Sequence, residues 1–259
     1  MNNVPFPDTR GLARIGVIVP VSNTNLEPDM MLFAPKGVTS HFSRSGGYDV
    51  DAIPDADQMR LYSDASSDET LDNLRHCHPD VILYGCTSAT LAQGPEYDAR
   101  FRSDMETKMG VPAMTAASGL VWGLETLGAK TFAFSSPYVA PLNDLAIFFL
   151  ESFGYRCVGR ADAEKPLGNH EVSALTPNDV RTLAVKADTA EADVIVLSCT
   201  DMRAAEAVLD IERELDKPVL TSNQALLAWA LDRLDLSFET SPLSDHRLVR
   251  KLMENRPIL

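Results

Sequence analysis

Two Cys-Thr pairs occupy matching places in the chain and carry residue types suited to nucleophilic attack and proton transfer. Cys86 lies in segment 79–87 (PDVILYGCT), and Cys199 lies at the same place in segment 192–200 (ADVIVLSCT), 113 positions later. One thiolate can attack a carbon or remove a proton, while a thiol on the opposite side of a ligand returns a proton. A lone cysteine after a buried strand is usually a small core residue. The duplicated pair instead favours a functional site, and two opposed thiols favour isomerisation.

Two further pairs of segments repeat in the same order. Residues 13–15 (ARI) and 129–131 (AKT) each begin an apolar run, 116 positions apart. Residues 111–115 (VPAMT) and 217–221 (KPVLT) follow the two cysteine segments at a spacing of 106. These spacings exceed the roughly 20- to 50-residue repeats of solenoids. We therefore expect two similar lobes that face each other.

Short apolar runs alternate with helical patterns, which predicts an α/β fold with mainly parallel sheets. Strands covered on both faces are continuously apolar, so the runs are predicted to be buried strands. These strands are Arg14–Pro20, Asp80–Tyr84, Val111–Met114, Lys130–Ser135, Asp193–Leu197 and Pro218–Leu220. The predicted helices are Pro141–Phe153, Val180–Ala190 after a capping signal at Thr176–Asp179, Arg203–Leu215 and Gln224–Leu234.

Both Cys-Thr pairs follow a predicted strand, at the end where parallel α/β sheets bind ligands. If the strand ends of the two lobes share one cleft, a thiol approaches the ligand from each side. The hydroxyls of Thr87, Ser88 and Thr200, with backbone N–H groups at the following helix start, are suited to hold a carboxylate. Because helix N-termini stabilise thiolates, we also expect a lowered pKa at Cys86.

Composition limits the partners of this 259-residue chain. Lys and Arg number 23 against 37 Asp and Glu, a formal net charge of −14. Such a surface repels phosphate backbones and anionic lipid, so neither nucleic acid nor a membrane is an expected partner. No targeting or membrane-spanning segment is visible, which predicts a cytoplasmic protein with free thiols. No nucleotide-binding motif occurs, and the cluster His76–His78 lacks a second group of metal ligands, so no cofactor or metal is predicted.

Several short segments of the chain have the pattern of a known family. They are Val19–Thr24 with Glu27–Asp29, Gly85–Ser88, Ser136–Tyr138, Leu167–Asn169 and Ser198–Thr200. These segments resemble the aspartate/glutamate racemase superfamily, and within it the branch of maleate cis–trans isomerases and arylmalonate decarboxylases. The likeness extends from about residue 12 to 235. The Cys-Thr motifs are those of the superfamily, and the surroundings of Asn23, Tyr138 and Asn169 are those of the branch.

The resemblance implies a cofactor-independent isomerase with two Rossmann-like parallel-sheet lobes related by pseudo-twofold symmetry. The lobe with Cys86 is assigned residues 12–117 with 222–259, and the lobe with Cys199 is assigned 118–221. By transfer of the family's motifs, Cys86 attacks the double bond of maleate to give a covalent succinyl-like adduct, and Cys199 is the acid/base. Asn23, Tyr138 and Asn169 are expected to bind the substrate carboxylates. A homo-oligomer is also expected.

Several departures from the family pattern leave alternatives open. Cys86 is followed by Thr-Ser-Ala-Thr without a second glycine, and Val21 replaces a small polar residue. Glutamate racemases carry a His at the place of Asp201, and arylmalonate decarboxylases keep only the second cysteine, so both are disfavoured. A two-thiol racemase or epimerase of an amino-acid-like substrate, such as the racemase-like protein of ectoine utilisation, is the main alternative. A non-catalytic protein that binds a small ligand is the alternative from another class.

Overall fold

Eight parallel strands form two four-stranded sheets within residues 11–46 and 68–255, the part of the chain that this computed structural model describes. The first sheet contains β1 (Ala13–Pro20), β2 (Val38–Ser45), β3 (Val81–Tyr84) and β4 (Ala113–Thr115). The second contains β5 (Thr131–Ser135), β6 (Arg156–Ala161), β7 (Val194–Leu197) and β8 (Val219–Thr221). Their orders are β2-β1-β3-β4 and β6-β5-β7-β8, so the second sheet repeats the first strand for strand. The predicted α/β fold with two parallel-sheet lobes is confirmed.

Helices follow most of the strands, as crossover connections between parallel strands require. Those preceding β5 are α1 (Leu26–Phe33), α2 (Asp68–Arg75), α3 (Thr87–Leu91), α4 (Pro95–Met109) and α5 (Ala116–Leu127). Those after β5 are α6 (Ala140–Glu151), α7 (Asn169–Ser173), α8 (Pro177–Ala187), α9 (Val208–Leu215), α10 (Ser222–Arg233) and α11 (Arg247–Asn255), with 3₁₀ turns at Ala205–Ala207 and Pro242–Asp245. Among these described helices, none is long and apolar enough to cross a membrane.

The predicted helices form, with different bounds. Thr176 caps α8 as expected, because its hydroxyl accepts from the Asp179 N–H at 3.2 Å while the Asp179 carboxylate accepts from the Thr176 N–H at 2.9 Å. The single helix predicted over Arg203–Leu215 is wrong at its start. Residues 201–204 form a turn, a 3₁₀ segment follows, and α9 begins only at Val208.

The strands that run through the middle of each sheet are buried, which explains their uninterrupted apolar sequence. Ile15 and Val17 of β1 and Val194 and Val196 of β7 are fully buried. Burial of apolar surface on both faces of such strands is the main source of stability in this architecture. One hydrophobic cluster includes residues from both sheets, so the two lobes share a continuous core.

Helices α5 and α10 follow the last strand of each sheet and pack against each other. Each is capped by the threonine that ends that strand: the hydroxyl of Thr115 accepts from Ser118 N–H at 3.0 Å, and that of Thr221 accepts from Gln224 N–H at 3.2 Å. This pair joins segments that the sequence assigned to different lobes. The boundaries 12–117 with 222–259 and 118–221 stay a prediction, and residues 47–67 and 256–259 of that assignment lie outside the described part.

Two glycines of α5 give a matched test of how closely this helix packs against Leu220 of β8. A Cβ at Gly123 would lie 2.4 Å from Leu220 Cδ1 and 3.2 Å from Leu220 Cγ, whereas a Cβ at Gly119 would meet nothing closer than 3.7 Å. Leu220 is fully buried, so its whole side chain would have to move. We expect Gly123→Ala to lower the free energy of unfolding by about 1–3 kcal/mol through overpacking. Gly119→Ala should be neutral or stabilise by up to about 1 kcal/mol because alanine favours helix.

Urea unfolding followed by circular dichroism measures both variants. Equal stability of the two variants would contradict the close packing of α5 on β8.

Candidate active site

The two predicted thiols follow equivalent strands of the two sheets. Cys86 comes two residues after β3 and directly precedes α3, and Cys199 comes two residues after β7. Both strands pair with the first strand of their own sheet, so the carboxyl ends of β3 and β7 are equivalent sites. Burial raises the pKa of Cys199 most, and the charge of a nearby Cys86 thiolate raises it further. The fold therefore brings together two thiols that are separated by 113 residues in sequence.

Tyr138 lies beside Cys199. Its hydroxyl is 3.3 Å from Cys199 Sγ, and its ring packs against both hydrophobic clusters of the chain. Burial raises the pKa of Tyr138 well above its usual range, and the charges of the Cys199 and Cys86 thiolates raise it further. Tyr138 is thus a neutral O–H group between two sulfurs, suited to donate a hydrogen bond to either a thiolate or a substrate oxygen.

The backbone around Tyr138 is held by a buried asparagine that sequence analysis did not identify. Asn143 on α6 donates from Nδ2 to the Tyr138 carbonyl at 3.0 Å, and its Oδ1 accepts from the Ser136 hydroxyl at 2.5 Å. The Ser136 oxygen in turn accepts from Tyr138 N–H at 3.1 Å. These bonds fix the turn that presents the phenol. The only sequence signal for Asn143 is its polarity within an otherwise apolar helical stripe.

The expectation of a lowered pKa at Cys86 is wrong. Burial raises the pKa of this thiol, and the charge of Asp201 raises it further. The N–H groups of Ala89 and Ser88 and the Ser88 hydroxyl, 3.8 Å from Sγ, act in the opposite direction without compensating fully. The helix that follows has only five residues, so its dipole is small. Cys86 is a neutral thiol in the ligand-free protein at neutral pH, with three hydrogen-bond donors placed to stabilise a thiolate.

Cys199 is more deeply buried, with 3% of its surface exposed. Burial raises its pKa to about 12, the Tyr138 hydroxyl lowers it and Asp201 raises it. The Asp201 N–H donates to Sγ at 3.4 Å. Cys199 therefore keeps its proton at neutral pH and is suited to give that proton to a carbon.

Asn23 and Thr200 connect the two lobes directly behind the thiols. Asn23 donates from Nδ2 to Thr200 Oγ1 at 3.1 Å, and the Thr200 hydroxyl donates to the Gly85 carbonyl at 2.8 Å. Gly85 precedes the first Cys-Thr pair, Thr200 belongs to the second pair, and Asn23 lies in the loop after β1. Asn23 also accepts from Leu26 N–H at 2.9 Å, so it caps the start of α1 while reaching the other lobe.

Asp201 forms a second connection between the lobes. Its Oδ1 accepts from Thr24 N–H at 2.7 Å and from Asn25 N–H at 3.1 Å. Asn25 returns hydrogen bonds from Nδ2 to the Asp201 carbonyl at 2.7 Å and to the Ser173 carbonyl at 3.1 Å. Burial raises the pKa of Asp201 to about 6, although these N–H donors and Arg44 lower it. Asp201 thus satisfies backbone donors of the opposite lobe.

The remaining predicted binding residues occupy different environments. The Thr87 hydroxyl donates to Ser222 Oγ at 3.0 Å, and Ser88 is buried beside Cys86. Asn169 is the first residue of α7 and is half-buried. The Asn25–Ser173 hydrogen bond holds α7 against the Asp201 turn. Roles of Asn23, Thr87, Ser88, Tyr138, Asn169 and Thr200 in binding a substrate stay predictions.

Arg44 is a positive charge near this cleft that sequence analysis did not consider. It is the next-to-last residue of β2, and its Nη1 donates to the carbonyls of Val21 at 3.0 Å and Asn23 at 2.8 Å. Its Nη2 pairs with Glu27 at 2.8 Å. The guanidinium is therefore committed to holding the loop that carries Asn23. Within the described residues, no group of three His, Cys, Asp or Glu side chains is placed to hold a metal ion.

Two thiols that follow equivalent strands of two matching parallel-sheet lobes define the class of cysteine-dependent enzymes with the aspartate/glutamate racemase fold. The family model described as arylmalonate decarboxylase matches residues 15–248. The maleate isomerase of Geobacillus stearothermophilus is 31% identical over 237 residues, covering 86% of this chain and 92% of that protein. The chain belongs to the maleate isomerase and arylmalonate decarboxylase branch of this superfamily.

Solved structures of maleate isomerases have the same fold. A mutant of the Nocardia farcinica maleate cis–trans isomerase, with a covalently bound succinylcysteine intermediate, superposes with a TM-score of 0.82 at 25% identity and covers 93% of this chain and 99% of that one. A variant of the maleate isomerase Iso from Pseudomonas putida S16 with maleate superposes with a TM-score of 0.78 at 26% identity, covering 86% and 92%. These matches confirm the resemblance found from the short motifs.

Alkylation tests the direction of the Cys86 pKa. We expect the rate of Cys86 modification by iodoacetamide to keep rising with pH beyond about 8.5, where an ordinary thiol is half ionised. The reason is that burial disfavours the thiolate. Peptide mass spectrometry follows the rate, with free cysteine in parallel and the variant Cys86→Ser to identify the peptide. A rate that reaches its plateau below pH 8 would instead indicate a thiolate stabilised in the ligand-free protein.

Proposed function

We propose that this protein is a maleate cis–trans isomerase that converts maleate to fumarate through a covalent adduct on Cys86. The observation that carries the proposal is the pair of thiols at equivalent strand ends, with the Tyr138 hydroxyl 3.3 Å from Cys199 Sγ. One sulfur has N–H donors that stabilise negative charge, and the other holds its proton. Related proteins act on maleate, and one carries a succinylcysteine.

Each sulfur has one task in the proposed reaction. Cys86 first releases its proton to water, which returns it at the end of the cycle. The resulting thiolate attacks one olefinic carbon of maleate and forms a C–S bond, while the π-electron pair takes a proton from Cys199 at the other carbon. The product is a succinyl thioether, in which the former double bond rotates as a single bond. The Cys199 thiolate then removes the proton, the double bond re-forms and the C–S bond breaks. Fumarate leaves with the same atoms as maleate, and both sulfurs return to their starting states.

The field that holds a dianion must come from oriented N–H and O–H dipoles. The protein carries a net charge of −14, and Arg44 is engaged by carbonyls and Glu27. Neutral donors positioned before the reaction act strongly in a site that excludes water. Asn23, Tyr138 and Asn169 are the proposed carboxylate ligands, with help from the backbone around Thr87, Ser88 and Thr200.

A two-thiol racemase or epimerase is the second candidate, and the equivalence of β3 and β7 is the observation in its favour. Such an enzyme uses each sulfur as a base on one face of a carbon. The surroundings of the sulfurs differ, however, because Cys199 has Tyr138 beside it and Cys86 has Ser88. Different surroundings suit two sulfurs with different tasks. This favours an isomerase, in which one sulfur adds to carbon and the other transfers a proton, over a racemase, in which both sulfurs remove protons.

Three further features belong to the same proposal. We infer that the enzyme works without a cofactor, since the reaction moves only a proton and a sulfur–carbon bond. We also propose a cytoplasmic location and a homo-oligomeric state, as the resemblance implies. Gel filtration with light scattering measures the oligomeric state.

Replacing each cysteine separately tests the covalent step. We expect Cys199→Ala to accumulate an adduct of about 116 Da, the mass of maleic acid, on the Cys86 peptide because its breakdown loses the acid/base group. We expect Cys86→Ala to abolish both adduct and turnover. Cys77→Ala, which alters a thiol before the amino end of β3 whereas Cys86 follows its carboxyl end, is the control and should behave as the unmodified protein.

Intact-protein mass spectrometry after incubation with maleate detects the adduct. No adduct in either variant, together with deuterium entering the α-carbon of an amino-acid substrate, would reject the isomerase and support the epimerase.

Removing one hydroxyl tests the role of Tyr138. We expect Tyr138→Phe to fold normally and to lower kcat by roughly 10- to 1000-fold, the range for loss of one well-placed donor. Tyr155→Phe is the control, because the Tyr155 hydroxyl contacts the Val121 carbonyl at 3.4 Å, away from either thiol. Full activity of Tyr138→Phe would remove this hydroxyl from the proposed site.

A further inference from the structure

A buried carboxyl group lies behind the Cys199 turn and takes no part in the proposed reaction. Asp29 belongs to α1, in the segment Glu27–Asp29, and is 4% exposed. Asn223 of α10, equally buried, donates from Nδ2 to Asp29 Oδ2 at 2.8 Å. The same Nδ2 donates to the Thr200 carbonyl at 3.0 Å. Asn223 therefore connects Asp29 to the residue that follows Cys199.

The oxygen of the Asn223 side chain indicates whether the Asp29 carboxyl group carries a proton. Both hydrogens of Nδ2 have acceptors, so the orientation of the amide is fixed. Its Oδ1 is buried and accepts no hydrogen bond from any described residue. A buried acceptor without a donor is costly. An ionised Asp29 cannot supply a donor, but a protonated carboxyl can, and an acid and a primary amide then join through two hydrogen bonds.

We propose that Asp29 is held as the neutral acid, that its O–H donates to Asn223 Oδ1, and that this acid–amide pair positions the Thr200 carbonyl and with it the Cys199 turn. Asp29 is a positioning residue in this proposal, which rests on the proposed function only for the readout of turnover. The pair replaces a charge with two neutral hydrogen bonds. It thereby keeps one more negative charge away from a site that binds a dianion.

The charges around Asp29 agree with a neutral acid. Burial raises its pKa to about 7 and Glu206 raises it further, whereas the Asn223 bond and Arg203 lower it. Arg203 and Glu206 pair with each other at 2.8 Å, so their combined effect on Asp29 is small. Since the folded protein binds this proton more tightly than the unfolded chain does, stability from this group is full below pH 4. That stability is lost as the pH rises through 7.

Two substitutions at Asp29 distinguish positioning from simple packing. In Asp29→Asn, the new amide donates to Asn223 Oδ1 and accepts from Asn223 Nδ2, so the pair persists without a titratable group. We expect kcat and KM for maleate within about twofold of the unmodified enzyme at pH 6, and loss of the pH dependence centred at about 7. Asp29→Leu keeps the volume but removes both hydrogen bonds. We expect it to lower kcat by roughly 10- to 100-fold, the size of effect that a misplaced catalytic group produces, with a smaller change in KM.

A matched control separates Asp29 from other groups that titrate nearby, Asp201 among them. Asp98 is buried in the same lobe and accepts from the Thr115 hydroxyl at 2.6 Å, without contact to the Cys199 turn. Asp98→Asn should leave the pH profile of kcat unchanged. The difference between the profiles of the unmodified enzyme and Asp29→Asn then belongs to Asp29 alone.

A direct titration needs no turnover. Carbon-13 NMR of protein labelled at the aspartate carboxyl carbons, compared with Asp29→Asn to assign the signal, should give a midpoint of about 7 for Asp29. A midpoint of about 4, as for an exposed aspartate, would overturn the proposal. So would full activity of Asp29→Leu, or a loss of kcat in Asp29→Asn as large as in Asp29→Leu. If Asp29→Leu fails to fold, the titration and the Asp29→Asn profile still decide. A midpoint of about 7 in an enzyme that does not act on maleate would reject the proposed function and leave the acid–amide pair standing.

Discussion

The hydroxyl of Thr200 joins the two lobes where their thiols must meet. It accepts from Asn23 and donates to the Gly85 carbonyl, and both bonds are buried between residues more than 100 positions apart in sequence. Cys86 follows Gly85 directly, and Cys199 precedes Thr200 directly, so this hydroxyl links the backbone segments that carry the two sulfurs. The proposed reaction, in which one sulfur adds to a carbon while the other protonates the neighbouring carbon, requires both sulfurs to be held to within a fraction of an ångström. The hydrogen bonds made by Asp201 and Asn223 strengthen the same contact between the lobes.

Burial of the contact between the lobes changes the pKa values of the groups around it. The same exclusion of water that strengthens hydrogen bonds raises the pKa of Cys86, Cys199, Asp201 and Asp29 together. In an acidic protein, neutral groups at the cleft avoid repulsion of an anionic substrate. The raised pKa also leaves Cys86 protonated at neutral pH, so its N–H donors must stabilise the negative charge of the thiolate as it forms. In the proposed reaction, Cys86 is therefore activated only once the substrate is bound.

Sequence predicted the features that depend on local pattern and missed those that depend on distant contacts. The six strand predictions came within two residues at each end because those strands are continuously apolar. β2 was not predicted because it is a half-exposed strand at the sheet edge with a polar sequence, VTSHFSRS. The cysteine pairs were found through duplication. Asn223 and Asp29 lie 194 residues apart, and no local pattern connects them. The direction of the Cys86 pKa failed because a short helix cannot compensate for burial.

Duplication produced a symmetric scaffold whose site has become asymmetric at equivalent positions. In each lobe, the N–H two residues after the cysteine donates to the sulfur: Ser88 to Cys86 and Asp201 to Cys199. The backbone is thus shared, but a hydroxyl follows one sulfur and a carboxyl the other. At the 116-residue spacing, Tyr138 stands where the first lobe has Ser22, and its hydroxyl lies 3.3 Å from Cys199 Sγ. The Asp201 carboxyl raises the pKa of Cys199 while the Tyr138 hydroxyl lowers it, whereas the three donors around Cys86 all lower the pKa of that thiol. Under the proposed function, side-chain divergence on a preserved backbone gives two equivalent cysteines the different roles of nucleophile and proton donor.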